Sequence, residues 1–416
     1  RYEAKNAFAR LMDYLISHPY LQAVLSHFLT VAGFLLAFFL IARLMSEKRQ
    51  PSNTFAWLLG IILMPYVGVP LYLLFGGRKL RQLMTRKTPM TPSLPGVVVE
   101  PGSCVDRHIA RAVRAAGGSI PLAHNQLKLL TNGEDAYRAL AEGIENAKHC
   151  IHITTFILGR EDTGKRIVQL LAKRAREGVK VRLLLDSVGC MFVRRGFVAP
   201  ILKAGGEVQW FMPVLPLTSR SSANLRSHRK IAVFDYDTAI IGGHNLAREY
   251  MGPTRMAKRW ADFGGEIFGP AAALLNDVFI ADWCFASGQS VDKIRAEIPA
   301  AVISKHHGPA ELQVIASGPD VRGDPLYEGL VAMIQSAEKR ILIITPYFIP
   351  DEVLQRSLIV KARSGIEVTL LVPAKSNHPV TDFARKHYLR ELREAGVTIK
   401  LHGPGMMHSK ATIIDD

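Results

Sequence analysis

Cysteine is scarce in this chain: four residues among 416, Cys104, Cys150, Cys190 and Cys284, with no Cys-x-x-Cys pair. That argues against a structural zinc site and a dithiol redox centre, and for a reducing compartment. No stretch alternates aromatic residues with Lys or Arg, so no base-stacking platform is present and nucleic acid is not the expected partner. Acidic residues are in deficit. The 36 Asp and Glu stand against 52 Lys and Arg, a formal charge of +16 that favours an anionic partner. Charge is missing altogether from residues 23–42, AVLSHFLTVAGFLLAFFLIA, a run long enough to cross a hydrocarbon layer of about 30 Å as a helix. No small-residue cleavage site follows it and a second apolar run does, which argues against a signal peptide. The chain begins at Arg1 without a methionine and is read as part of a longer product.

The second run, residues 54–75, is interrupted by Pro65, Gly68 and Pro70 and flanked by Lys48 and Arg49 on one side and Arg78, Lys79 and Arg81 on the other. The positive-inside rule draws both flanks to the cytoplasm. A re-entrant hairpin turning at PYVGVP satisfies both, but two ordinary spans are the arrangement expected. Residues 1–85 are therefore read as a membrane anchor with two transmembrane or re-entrant segments. Residues 86–103, with Pro89, Pro92, Pro95 and Pro101, read as a linker.

Beyond the linker, amphipathic helices alternate with buried strands, and the order is used twice. NAKHCIHITTFILG matches SAEKRILIITPYFIP, EGVKVRLLLD matches SGIEVTLLVP, and LKAGGEVQWFMP matches LREAGVTIKLHGP. Aligning Ala147 with Ala337, Gly178 with Gly365 and Ala204 with Ala395 keeps a nearly constant offset. The chain is thus a duplicated α/β unit, expected as residues 104–300 and 301–416, the second copy cut short at its C-terminus. An insert around PVLPLTSRSSANLR separates the first copy from its motif.

Each copy carries a polar motif at the start of an apolar strand. SHRKIAVFDYDTAIIGGHN, residues 227–245, places His228 and Lys230 two apart, and MHSKATIIDD repeats that opening with His408 and Lys410. Strand alternation puts His and Lys on one face and Asp235 on the other, so Asp235 reads as a turn residue. Pairing across a four-residue DYDT loop sets Phe234 opposite Ala239, Lys230 opposite Gly243 and His228 opposite Asn245. Gly242 and Gly243 would let an anion approach the backbone. A lysine charge, an amide donor and an imidazole suit a phosphate, with the histidine attacking or moving a proton.

The spacing His228, Lys230, Asp235 and again His408, Lys410, Asp415, with Gly242 and Asn245 downstream in the first copy, resembles the phospholipase D superfamily. The apolar pair ending in YLLFGGRKL, the NGEDAYRALAEGIENA helix, DTGKRIVQLLAKRAREGVKVRLLLDSVG and TPYFIPDE narrow the resemblance to bacterial cardiolipin synthases. Asn377 and Gly243 depart from the family's commoner aspartate and serine.

The resemblance implies an α/β fold: two pseudo-symmetric α/β/α domains with mixed sheets behind a transmembrane region. It implies a multi-pass protein of the bacterial inner membrane with cytoplasmic catalytic domains. Two phosphatidylglycerol molecules would give cardiolipin and glycerol through a phosphatidyl-histidine, with no metal or cofactor. The six motif residues are then grouped as catalytic, with Gly243 and Asn245 binding substrate, and Asp262 in WADFGGEIFGP is the candidate to orient His228. Anionic membrane lipids are the expected partners, and a homo-oligomer stays open. A membrane-anchored hydrolase or nuclease of the same superfamily is the alternative, because it would use the same residues.

Overall fold

The computed structural model describes residues 19–46, 51–75, 103, 107–212, 226–297, 307–318, 321, 323–403 and 405–415. The expected linker (save Ser103), the basic flanks of the apolar runs and residues 213–225 of the insert lie outside the described residues. The chain divides into two compact units, residues 1–82 and 83–416, so both copies of the α/β repeat share the second.

In the first unit, helix Pro19–Ser46 contains Ser26–Met45, the one segment among the described residues long and apolar enough to cross a membrane. The second apolar run departs from the two-span expectation. It forms helices Pro51–Leu63 and Pro65–Phe75, about 20 and 17 Å long at 1.5 Å per residue, each short of a layer of about 30 Å. Gly68 approaches the Gly60 carbonyl so closely that a Cβ there would overlap it, which means that the chain doubles back at Met64. The result is a helical hairpin, with Ile61, Val69 and Tyr72 in a small core alongside Leu40 and Leu44.

In the second unit, strands β1 (Leu122–Leu130), β2 (Cys150–Thr155), β3 (Lys180–Asp186), β4 (Glu207–Phe211), β5 (Ile231–Phe234), β6 (Thr238–Gly242), β7 (Gly264–Phe268) and β8 (Ala310–Leu312) form one mixed sheet. Its order is β4-β3-β2-β5-β6-β7-β1-β8. A second sheet has β9 (Arg340–Ile344), β10 (Glu367–Pro373), β11 (Thr398–His402) and β12 (Ala411–Ile414) in the order β11-β10-β9-β12. One four-strand arrangement occurs in both. Three parallel strands, β2, β3 and β4 or β9, β10 and β11, carry an antiparallel neighbour, β5 or β12, on the first of them. The Thr155 hydroxyl donates to the Ile157 carbonyl just past β2, and the Thr345 hydroxyl to the Tyr347 carbonyl just past β9. β8 lies beyond the expected boundary at residue 301 yet pairs with β1 in the first sheet.

Side-chain parity explains how the first sheet is covered. Ile231 and Val233 of β5 pack with Ala271, Leu275 and Val278 of helix Pro270–Ser287, whereas Ala232 and Phe234 join Ala136, Leu140 and Ile144 of helix Gly133–Asn146. With both faces covered, β2 is buried at every residue and β3 at all but its first, as their continuous apolar sequence requires.

The hairpin differs from the expected register by one residue. β5 and β6 pair Phe234 with Thr238 and Val233 with Ala239, across a three-residue loop in which Asp235 and Tyr236 take positive φ of 50° and 63°. The Tyr236 ring is buried edge-on against His152, 5.8 Å between centroids, and the Asp235 carboxylate is engaged elsewhere, so both belong to the loop. β5 begins only at Ile231 and β6 ends at Gly242, so the expected pairings of Lys230 with Gly243 and His228 with Asn245 do not form.

Candidate active site

Because β5 and β12 run antiparallel to β2 and β9, both His-x-Lys pairs emerge at the C-terminal ends of the parallel strands. The His228 and His408 rings lie 6.5 Å apart between centroids. Each lysine folds back on its own histidine. Lys230 Nζ is 3.2 Å from His228 Nδ1 and donates to its carbonyl at 2.8 Å; Lys410 Nζ is 3.0 Å from His408 Nε2 and donates to its carbonyl at 2.5 Å. Phe156, just past β2, backs the first pair, its ring 4.7 Å from that of His228.

Four groups able to carry positive charge thus share one cleft. Burial, then Lys230, Lys410 and His408, push the His228 imidazole down to about 4. Burial and then Lys410 bring Lys230 down to about 7, and burial brings Lys410 down to about 8. An anion in the cleft relieves this repulsion, which is why such a cluster binds a phosphodiester. Among the described residues no three His, Cys, Asp or Glu side chains gather as metal ligands.

Asp262 pairs with His408, not with His228 as expected. Its Oδ2 lies 2.7 Å from His408 Nδ1, both groups buried. The cause is a short parallel bridge between the two copies. Ala261 N donates to Met406 O and His408 N to Ala261 O, which aligns residue 262 with the second histidine. Tyr250 and Trp260 close around the same imidazole at 5.4 and 5.7 Å.

Gly243 also serves differently from expectation. Its N–H is taken by Phe263 O, and a Cβ at this position would run into the Asp262 carboxylate. Its lack of a side chain makes room for Asp262 and leaves no donor for substrate. Asn245 is buried at the site with Oδ1 accepting from Ile157 N at 3.1 Å.

Asp235 and Asp415, grouped by resemblance with the catalytic residues, sit at the far ends of their strands, about 20 Å from the histidines at ~3.3 Å per residue. Asp235 accepts from the N–H groups of Lys148, His149 and Cys150 at 2.7, 2.7 and 2.9 Å; Asp415 accepts from those of Glu338, Lys339 and Arg340 at 3.0, 2.8 and 3.0 Å. Each clamps the start of the neighbouring parallel strand. The turn reading of Asp235 describes this placement; the catalytic grouping does not.

Sequence reasoning passed over several neighbours. Asp186, at the end of β3, accepts from Ser227 N next to His228 and from Val188 and Gly189 N. Its counterpart in the second copy is Pro373, so the duplication gave no signal for it. Arg229, between His228 and Lys230, sends its guanidinium to both oxygens of the fully buried Asp282 at 2.9 and 2.8 Å and to Ser317 O. Strand parity marks Arg229 as facing away from the histidines, and that signal was available. His244 is buried between the motif glycines and Asn245, and its Nε2 has no hydrogen-bond partner among the described residues.

A mixed α/β fold with two four-strand units, and paired His-x-Lys groups at the strand ends, defines a phospholipase D-like protein. The phosphatidylserine synthase of Haemophilus influenzae shares this fold, with a TM-score of 0.50 at 16% identity over 74% of this chain and 80% of that one. Residues 140–255 and 330–416 match the family described as cardiolipin synthase, PLD-like domain, and residues 34–77 match that described as Phospholipase_D-nuclease N-terminal. Cardiolipin synthase 1 of Bacillus anthracis is 34% identical over 387 residues, covering 89% of this chain and 76% of its own length. A cardiolipin synthase of Listeria monocytogenes is 30% identical over 410 residues, 95% of this chain and 84% of that protein. The chain belongs to the cardiolipin synthase family.

Proposed function

We propose that the chain is a phosphatidyltransferase that makes cardiolipin and glycerol from two molecules of phosphatidylglycerol. The observation that carries the reading is the asymmetry of the two imidazoles. His228 is held neutral, as a nucleophile must be, whereas His408 is bonded through Nδ1 to a carboxylate, as a general acid and base must be. His228 attacks phosphorus while the bond to glycerol breaks, and His408 gives its proton to the departing alkoxide. His408 then takes the proton from the terminal hydroxyl of a second phosphatidylglycerol, whose oxygen bonds to phosphorus as the phosphorus–nitrogen bond breaks. Lys230, Lys410 and Asn245 hold the phosphoryl oxygens as charge spreads over them.

On this reading the two four-strand units are pseudo-symmetric halves of one site, Ser26–Met45 spans the bacterial cell membrane, the hairpin of residues 51–75 is re-entrant, and the second unit is cytoplasmic. The test is the full chain in membranes whose only phospholipid is phosphatidylglycerol, with glycerol release, cardiolipin formation and nucleic-acid cleavage followed together. Equal amounts of glycerol and cardiolipin are expected; release of glycerol with phosphatidic acid would make the chain a hydrolase, and nucleic-acid cleavage a nuclease.

A further inference from the structure

The three most exposed large apolar side chains among the described residues of the second unit are Val380 at 82%, Phe383 at 75% and Phe192 at 68%. Such side chains normally cover a core or a partner. All three follow the C-terminal ends of parallel strands, Phe192 in the loop after β3 and the other two in the first turns of helix Pro379–Glu394 after β10. Those are the strand ends that carry His228 and His408. The link to the site is direct in the first copy, because Asp186 binds both Ser227 N and the start of the Phe192 loop. In the second, the Tyr347 hydroxyl donates to Asn377 Oδ1 at 2.5 Å and its ring meets that of His378, just before the helix.

Cations surround these tips. The first loop adds Met191, Arg194 and Arg195, all exposed, and residues 187–197 contain no acid. In the second, Lys375, Lys386 and Arg390 are exposed, and the one acid in residues 374–390, Asp382, is paired with Arg385. Lys386 Nζ also lies over the Phe383 ring. Apolar tips flanked by unopposed cations match an anionic bilayer surface, where the rings enter the acyl boundary and the cations meet lipid phosphates. We infer that Phe192, Val380 and Phe383, with their flanking basic residues, form a rim around the active-site mouth that docks onto anionic lipid. The inference rests on the lipid-substrate reading, and it makes substrate enter from the bilayer and not from water.

The test uses the full chain. Phe192→Asp/Phe383→Asp should lower cardiolipin formation in phosphatidylglycerol bilayers at least 10-fold. In detergent solution, transfer between short-chain, monodisperse phosphatidylglycerol molecules should stay within 2-fold of the parent, which also shows that the variant is folded. In a second arm, Phe192→Trp should add a fluorescence signal, over the parent's four tryptophans, that brominated acyl chains quench in phosphatidylglycerol-rich vesicles and quench less in phosphatidylcholine vesicles. Equal losses on bilayer and monodisperse substrate, or an added tryptophan that lipid does not quench, would overturn the rim, as would shielding of Phe192 by a protein partner alone. A parent chain inactive on both substrates would instead sink the proposed function, while the quenching arm still decides the rim.

Discussion

Asp262 Oδ2 lies 2.7 Å from His408 Nδ1, a carboxylate of the first copy set against the histidine of the second. In the proposed mechanism this bond divides the labour of the two imidazoles. Acid help matters most for a poor leaving group such as a glycerol alkoxide and least for a nitrophenolate. His408→Ala and Asp262→Asn should each slow cardiolipin formation by about 10²–10⁴-fold. Both should still release a stoichiometric burst of nitrophenolate from an activated nitrophenyl lipid, leaving acid-labile lipid phosphate on the protein. His228→Ala should give no burst; a burst lost in His408→Ala and kept in His228→Ala would exchange the roles.

Burial, joined at His228 and Lys230 by repulsion from the neighbouring cations, sets a pH dependence. For the free enzyme, kcat/KM should fall on the acid side as His228 protonates near pH 4 and on the alkaline side as Lys230 and Lys410 lose charge near pH 7 and 8. A bound phosphodiester favours the charged lysines, so the alkaline limb of kcat should lie above that of kcat/KM. Lys230→Arg should move the kcat/KM limb upward, because a guanidinium keeps its charge. Profiles of the two parameters measured on the same preparation check this.

Asp235 and Asp415 should matter to stability and not to turnover. Asp235→Ala removes the acceptor of three backbone N–H groups and should cost about 1–3 kcal/mol, read as a lower Tm, with kcat of the folded enzyme within a few-fold of the parent. Its N–H partners depress the Asp415 carboxyl below the ordinary range. The resulting stability is complete above the unfolded pKa of aspartate and is lost as pH falls through the folded one. The Tm difference between the parent and Asp415→Asn should therefore shrink on acidification. A large loss of kcat in either variant would return the aspartates to the chemistry.

Arg229→Ala leaves the Asp282 charge buried without its guanidinium and should destabilise by about 3–5 kcal/mol. Replacing both by apolar residues, Arg229→Met/Asp282→Leu, should recover much of the Tm. If the ion pair also fixes the height of His228 and Lys230, kcat of the double variant will stay low with KM little changed; full activity would make the pair structural only.

Cysteines placed at Arg49 and Arg81 should both be shielded from impermeant thiol reagents added outside intact cells if residues 51–75 are a re-entrant hairpin. Labelling of one alone would mean that the segment crosses.

By itself the sequence determined the duplication, the alternation of helix and strand, the paired His-x-Lys motifs and the long apolar helix, because each is written in local periodicity or in residues repeated at matching spacing. Strand parity also placed Asp235 away from the histidines. Tertiary structure decided what depends on contacts between distant segments. Asp262 lies closer in sequence to His228, yet the bridge from Ala261 to Met407 turns it to His408, and only the packing of two copies creates that bridge. The hairpin register slipped by one residue because Tyr236 is drawn under His152 and Asp235 to the start of β2, neither of which shows in the loop's own residues. Gly243, read as open to an anion, is closed off by a carboxylate 19 positions along the chain, and the His228 imidazole is depressed first by its burial and then by the cationic groups that the two copies bring into one cleft.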